Sequence, residues 1–432
     1  MQKLVQFGMS GVAVFAALGS VPALAQAQKV VPPKTVYWLS AATQSGFGMA
    51  PGAQPSSADM MRMAMGGGGG GAMKLLELDI GSKVPPSGPP AAEHAIPPAM
   101  SMGPALPLRT PKGTPGKVDE TADDFERPKG RLLLFWGCGE AARPGQPVVF
   151  DFAKMAAGQI PPNLFGGERV RISRPPSQSG WPTYGRWPND DRKAGNKAVP
   201  SNASLVGAHR VTGNYTPQID FALSQDWMAP IPLSQAKMPS GAVALKWTSV
   251  PASTAHYASM MGGKEDKGTQ TVVFWSSSET QTFVSGMSDY IPPAEAARLV
   301  GRKQLMPSSQ TSCAIPKEAI AAAEGGIISL VSHGPEQNIV HPPRPKDAKV
   351  DWVQEWSVKA RYVSRAGAVL GMEDMAGGPT ASGKPKCPVD TSEEAGKAAG
   401  GAILGGGFGR SVGGAIGGLM GGKKKKPQDC EP

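Results

Sequence analysis

Histidine and cysteine are scarce in this chain, five and four of 432 residues, so few constellations of the usual catalytic kind can be assembled from it. His94, His209, His256, His333 and His341 are scattered, with no HExxH and no close pair, and His94 and His341 stand near prolines as loop residues do. No CxxC and no Cys/His spacing of a zinc site occurs. There is no P-loop and no GxSxG, which removes two common signatures of nucleotide binding and ester hydrolysis. Ser234-x-x-Lys237 fits a two-residue serine-hydrolase pattern, but its SDN and KTG companions are missing. Asn189, Asp190 and Asp191 lack the spacing of a calcium loop. A secreted hydrolase of unrecognised type would need a buried Ser-His or carboxylate pair in a deep pocket. The sequence therefore assigns no catalytic residue, no metal and no cofactor.

What is present begins with a leader. Lys3 is followed by an apolar run, Leu4 to Leu18, and by Val21-Pro22-Ala23-Leu24-Ala25-Gln26-Ala27, which holds two overlapping small-x-small cleavage patterns. That is the layout of a secretory signal peptide, and no cysteine follows it to take a lipid. The expectation is a mature protein outside the cytoplasm, in the bacterial periplasm or outer membrane. Its net charge is +10 with the leader, but the basic residues are scattered except at one place, so nucleic acid is not an expected partner. Four cysteines, Cys138, Cys313, Cys387 and Cys430, permit three disulfide connectivities in an oxidising compartment. Pairing Cys138 with Cys313 and Cys387 with Cys430 is favoured, because it ties body to body and tail to tail.

With 56 glycines and 43 prolines the chain approaches the composition of low-complexity sequence, so compact sheets joined by long irregular loops are expected. Three β-rich runs end on an aromatic-Trp pair: Thr35 to Ser40, Arg131 to Cys138 and Thr271 to Ser276. They read as corresponding core strands of one β-sheet body. Val148 to Phe152 follows the second across a Gly/Pro-rich break too short for a crossover helix, which predicts an antiparallel neighbour. Leu76 to Ile80 alternates as a half-buried strand. Trp356, Val358, Ala360 and Tyr362 alternate with Lys359 and Arg361 as an amphipathic outer strand. Proline at the start and glycine at the end mark two short helices, 292–300 and 316–324, with a strand over Ile327 to Val331.

Other stretches read as loops. Met60 to Met65 precedes six glycines, Gly66 to Gly71; thioethers suit Cu(I), but no His or Cys is near, and glycine runs bury nothing. Pro85 to Pro115 reads as extended irregular chain. In the loop-like stretch 160–200, Trp181, Tyr184 and Trp187 offer aromatic faces that stack on sugar rings or proline-rich peptides, or fold back onto their own prolines. Further on, Leu245, Trp247, Ala255 and Tyr257 lie in two strands joined by a turn at Val250-Pro251-Ala252. Over about forty residues this resembles the early strands of a fibronectin type III domain, and the likeness implies a seven-stranded sandwich used for adhesion or spacing.

The C-terminal tail is the other organised stretch. Gly401, Gly405, Gly409, Gly413, Gly417 and Gly421 recur every fourth residue among Ala402, Ile403, Leu404, Phe408, Val412, Ile416 and Leu419, and Lys423, Lys424, Lys425 and Lys426 follow. Small residues at that spacing let helix backbones pack closely in membranes. The segment 396–422 resembles the glycine-zipper segments of bacterial outer-membrane lipoproteins and surface antigens of the 17-kDa type, which implies association with membrane or with copies of itself. Glycine costs about 0.8–1 kcal/mol per helical position relative to alanine, so such a helix does not stand alone in water. Arg410 at its middle argues against a simple single span and for a hairpin or a bundle. A lysine run beside it adds about 1 kcal/mol per residue toward anionic headgroups.

Together these features predict a mainly β protein of one or two sandwich-like domains: a signal peptide (1–27), N-terminal strands with linkers (28–125), a β-rich domain (126–230), a fibronectin-like β domain with helical insertions (231–380) and a glycine-zipper tail (381–432). The function expected is non-enzymatic, a structural or binding role in the cell envelope. The alternative is a module that binds glycan or peptidoglycan through its loop aromatics.

Overall fold

The computed structural model of the chain describes residues 28–46, 72–111, 130–156, 170–189, 198–266, 269–281 and 286–371. The leader, the Met60 to Met65 cluster, the Gly66 to Gly71 run, Asp190, Asp191, Cys387, Cys430, the tail glycines and the lysine run lie outside those residues. Strands make up 47% of the described residues and helices 7%, which is the mainly β, sandwich-like architecture that the alternating apolar runs predict.

In chain order the first strands are β1 (Val30–Val31), β2 (Thr35–Gly46), β3 (Met73–Ser82), β4 (Ala92–Ala95), β5 (Ala105–Leu108), β6 (Gly130–Trp136) and β7 (Val148–Asp151). Then come β8 (Thr183–Trp187), β9 (Gly207–Gly213), β10 (Ile219–Leu223), β11 (Ser234–Lys237), β12 (Val243–Lys246) and β13 (Ala255–Asp266). The last are β14 (Thr269–Ser276), β15 (Met306–Pro307), β16 (Ser312–Ile315), β17 (Gly325–His341), β18 (Trp352–Val353) and β19 (Trp356–Val369). Helices α1 (Phe152–Ala156), α2 (Pro293–Gly301) and α3 (Lys317–Ala321) are short.

One ten-stranded sheet dominates, in the order β7-β6-β14-β13-β17-β19-β2-β3-β8, with β15 pairing to β13. Its strands come from all three spans 28–125, 126–230 and 231–380. The three strands with aromatic-Trp endings all belong to it: β6 and β14 lie side by side in parallel with Phe135 opposite Trp275, and β2 lies beyond β13, β17 and β19. The short break after β6 gives the expected antiparallel partner, β7. β17 spans 17 residues, with a register shift between His333 and Glu336 in its pairing with β19. Pro335, lacking an N–H, falls at that shift, where a ladder bond is dispensable.

Alternation sets what each face meets. Tyr37 and Leu39 of β2, Leu76, Leu78 and Ile80 of β3, Val358, Ala360 and Tyr362 of β19 and Trp275 of β14 share one buried cluster. Two smaller sheets contribute to that cluster, β10-β9-β4-β5 and β11-β12-β16. Each large apolar side chain so enclosed contributes about 1.5–3 kcal/mol. Cys138, two residues past β6, is bonded to Cys313 of β16, so the favoured pairing of these two cysteines is present and ties the large sheet to the small one. The opposite face is covered in patches: α2 with Met287, Ile291 and Leu305 over Ala255 and Tyr257, and Phe150 and Phe152 against Leu132 and Leu134.

Several expectations are corrected. Pro85 to Pro115 is not irregular throughout: β4 and β5 pair there, because His94, Leu106 and Leu108 face the core between the prolines. The stretch 160–200 contains β8, which extends the large sheet beside β3. The strand from Trp356 is not an outer one; β17 and β2 flank it, and on its charged side Arg361 is buried while Lys359 is partly exposed. Asp79 on β3 is only 4% exposed, so that strand is more deeply buried than its acidic alternation implied. Neither His94, on β4, nor His341, the last residue of β17 and stacked on Trp356, is a loop residue. The seven-strand count implied by the fibronectin likeness does not describe the body either. Leu245 lies on β12 and Ala255 and Tyr257 on β13, but β13 is a central strand of the ten-stranded sheet. α1 is an additional helix, formed where Asp151 Oδ1 accepts the N–H groups of Ala153 and Lys154 after β7.

Candidate functional site

Chemistry-bearing side chains collect in two places, one on the outer face of the large sheet and one between its inner face and the four-stranded sheet. On the outer face the strand registers place Arg186, Asp79, Trp38, Lys359 and Asn338 in one row across β8, β3, β2, β19 and β17. The next row on the same face holds Glu77, Ser40, Arg361 and Glu336. Both rows thus mix donors and acceptors at the spacing of neighbouring strands.

Arg361 organises this strip. It is 5% exposed, and its Nε donates to Ser40 Oγ at 2.7 Å while Nη1 donates to the Ser173 carbonyl. Its guanidinium carbon lies 4.0 Å from the centre of the Tyr290 ring and 5.1 Å from that of Trp38. Burial draws its pKa below the ordinary arginine value, against the pull of Tyr290, Glu77, Asp79 and Glu336. A buried guanidinium persists only with such balancing charge and used donors. Lys359 Nζ sits 5.2 Å from the Trp38 ring centre and binds Glu336 Oε2 at 2.6 Å. The Glu336 side chain is 7% exposed, and its other oxygen, Oε1, is buried with no hydrogen-bond partner.

Asp79 accepts from the Tyr184 hydroxyl at 2.6 Å. Burial raises its pKa to about 6, an effect that the Tyr184 hydrogen bond and the nearby Arg186 only partly offset. Trp181 lies against the same strip: a Cβ at Gly81 would meet its ring at 2.6 Å, so glycine is what lets the indole rest on β3. Lys83 Nζ is 5.8 Å from that ring's centre.

Of the three aromatics read as a possible stacking set, Trp181 and Tyr184 therefore belong to the outer strip, but Trp187 does not. Tyr184 and Trp187 are three residues apart on β8 and point to opposite faces, and Trp187 is 4% exposed in the main core. Trp38 occupies the place beside the charged groups instead. The signal for Trp38 was present in the sequence as its alternation with Tyr37 and Leu39. Its neighbours Asp79, Lys359 and Glu336 are brought to it only by the register of other strands.

The second place is a buried hydrogen-bonded chain. Tyr37 Oη is 2.8 Å from His94 Nδ1, His94 Nε2 is 2.9 Å from His209 Nδ1, and His209 Nε2 is 2.7 Å from the Leu205 carbonyl. That carbonyl can only accept, so His209 Nε2 carries the proton. A neutral His209 then accepts at Nδ1 from His94 Nε2, and His94 Nδ1 accepts from the Tyr37 hydroxyl. Burial pushes both histidines below their ordinary pKa, and the Tyr37 hydroxyl well above its own. Phe221 stacks on His209 at 4.9 Å and encloses the chain. The two histidines are 115 residues apart, and only the pairing of β4 with β9 joins them.

Ser234 and Lys237, at the ends of edge strand β11, are both exposed. A shallow cleft of about 210 Å³ lies beside the disulfide between Glu279, Lys303 and Met306. Glu279 there is engaged by Arg143 and by the Cys138 N–H. Among the described residues no group of three His, Cys, Asp or Glu is placed to hold a metal, and no helix is long and apolar enough to cross a membrane. No protein family, curated protein or solved structure matches the chain.

Proposed function

We propose that the protein is an exported, non-enzymatic structural or binding protein of the bacterial cell envelope, held at a membrane or to its own copies by the glycine-zipper tail and the lysine run. The observation that carries the exported part of this reading is the Cys138–Cys313 bond, since such bonds persist in oxidising compartments and are rare in the cytosol. It agrees with the leader at 1–27. The tail reading rests on the four-residue glycine spacing, whose helix cannot hold itself together without lipid or a twin.

The direct test is to express the full chain and a form ending at residue 395 in a Gram-negative host and to separate soluble periplasm from membrane. The intact protein is expected in the membrane fraction or as a cross-linked oligomer, and the shortened one as a soluble periplasmic monomer. Equal partitioning and equal oligomeric state of the two would reject the tail's role.

The outer strip favours one further reading, that the body binds glycan. Trp38 and Trp181, both partly exposed, supply aromatic surface beside charged hydrogen-bonding groups, the mixture that sugar rings use, while Tyr184 is buried. Binding of an envelope polysaccharide by the intact protein, reduced by Trp38→Ala, supports it.

A further inference from the structure

We infer that the outer strip around Trp38 takes an uncharged saccharide; this rests on the glycan-binding reading and narrows it. Three observations decide the class of ligand. First, Glu336 Oε1 is a carboxylate oxygen without a donor in a side chain 7% exposed, and a buried acceptor left so carries an unrecovered desolvation cost. A ligand that donates an O–H to it recovers that cost. Second, the Trp38 ring, half-buried, already carries two cations, Lys359 at 5.2 Å and Arg361 at 5.1 Å. An ammonium ligand approaching the same ring would be repelled by both.

Third, the two rows are not of one sign. The first row carries Arg186, Asp79 and Lys359, the second Glu77, Arg361 and Glu336, and Lys359 is already neutralised by Glu336 at 2.6 Å. A polyanion laid across them would meet Asp79, Glu77 and Glu336, as a polycation would meet Arg186, Lys359 and Arg361. Sugar hydroxyls both donate and accept, so they match an array of mixed sign, and the C–H face of the ring suits the indole. Exposed Asn338, at the end of the Trp38 row, offers both kinds of group.

The experiment is retention of the full-length protein on immobilised chitohexaose, cellohexaose and oligogalacturonate, with affinities followed by tryptophan fluorescence at 50 and 500 mM salt. The expected result is binding to at least one of the neutral oligosaccharides, with less than a twofold change between the two salts, because no net charge is neutralised. Trp38→Ala and Glu336→Gln are each expected to weaken it at least tenfold. Glu336→Gln preserves shape, removes the charge and turns one acceptor into a donor, so it remains informative if Trp38→Ala does not fold. Trp352→Ala, on β18 outside the large sheet, is expected to bind as the parent does. Binding to oligogalacturonate alone, or binding that salt abolishes, would overturn the uncharged class while leaving glycan binding standing. Failure to retain any of the three would overturn both.

Discussion

Removing the Cys138–Cys313 bond by the double change Cys138→Ser and Cys313→Ser tests how the two layers are held. The bond spans 175 residues, and closing a loop of that length in the unfolded chain costs about 5 kcal/mol in the chain-entropy account. The native geometry does not depend on the bond alone. Gly139 N–H donates to the Ala314 carbonyl, Lys317 N–H to the Glu140 carbonyl, and Ala142 N–H to Glu318 Oε2 at 2.7 Å, so the segment after β6 stays strapped to β16 and α3. The loss should therefore act through the unfolded state. In urea unfolding followed by tryptophan fluorescence, the double variant is expected to lose about 3–5 kcal/mol, with near-native circular dichroism before the transition. A loss under 1 kcal/mol would show that the bond constrains little. A variant with no β-sheet signal in buffer would show that it holds the native layers and does more than limit the unfolded chain.

Acidification should destabilise the body. His94, His209, His256 and His333 are all pushed below 6.5 by burial, His333 to about 3, with its ring nitrogens near the Met287 and Asp289 backbone but without a well-formed hydrogen bond. For a histidine with a lowered folded pKa, the unfolded chain binds more protons, so its stability is complete above 6.5 and falls below it by up to about 1.4 kcal/mol per pH unit. Asp79, raised to about 6, works in the opposite sense, since its burial weighs less as it gains a proton. Four histidines outweigh one carboxylate, so urea midpoints are expected to drop steadily from pH 6.5 to 4.5; a flat profile would contradict the buried neutral relay. Arg361→Met leaves Glu336, Glu77 and Asp79 without their shared cation and should cost about 3–5 kcal/mol, and Arg361→Lys should recover only part, because one ammonium cannot reach both Ser40 and Ser173 while stacking on Tyr290. Equal stability of Arg361→Lys and parent by urea unfolding would refute that role.

Much of the architecture was legible because period-two alternation is local. Tyr37, Leu39, Leu76, Leu78, Val358 and Ala360 all announce a buried face within their own strands, and Pro292 and Pro316 mark the two helix starts. Glycine and proline misled over Pro85 to Pro115 and over β8. Their turn-forming chemistry is also local, and it outweighed the few core-facing residues that pairing with β9 and β3 turns into strands.

Local alternation was enough to place the buried faces of β3 and β19, proline marked the starts of α2 and α3, and four cysteines allowed three pairings. Apart from the β6–β7 hairpin, strand neighbours were settled only by the packed fold, and with that every site: the row Arg186, Asp79, Trp38, Lys359 and Asn338 takes one residue from each of five strands, β8, β3, β2, β19 and β17. The physical reason is that backbone hydrogen bonding between strands carries no residue code. Register is set by burying one whole face at once, and the polar partners on the other face are brought together by that choice.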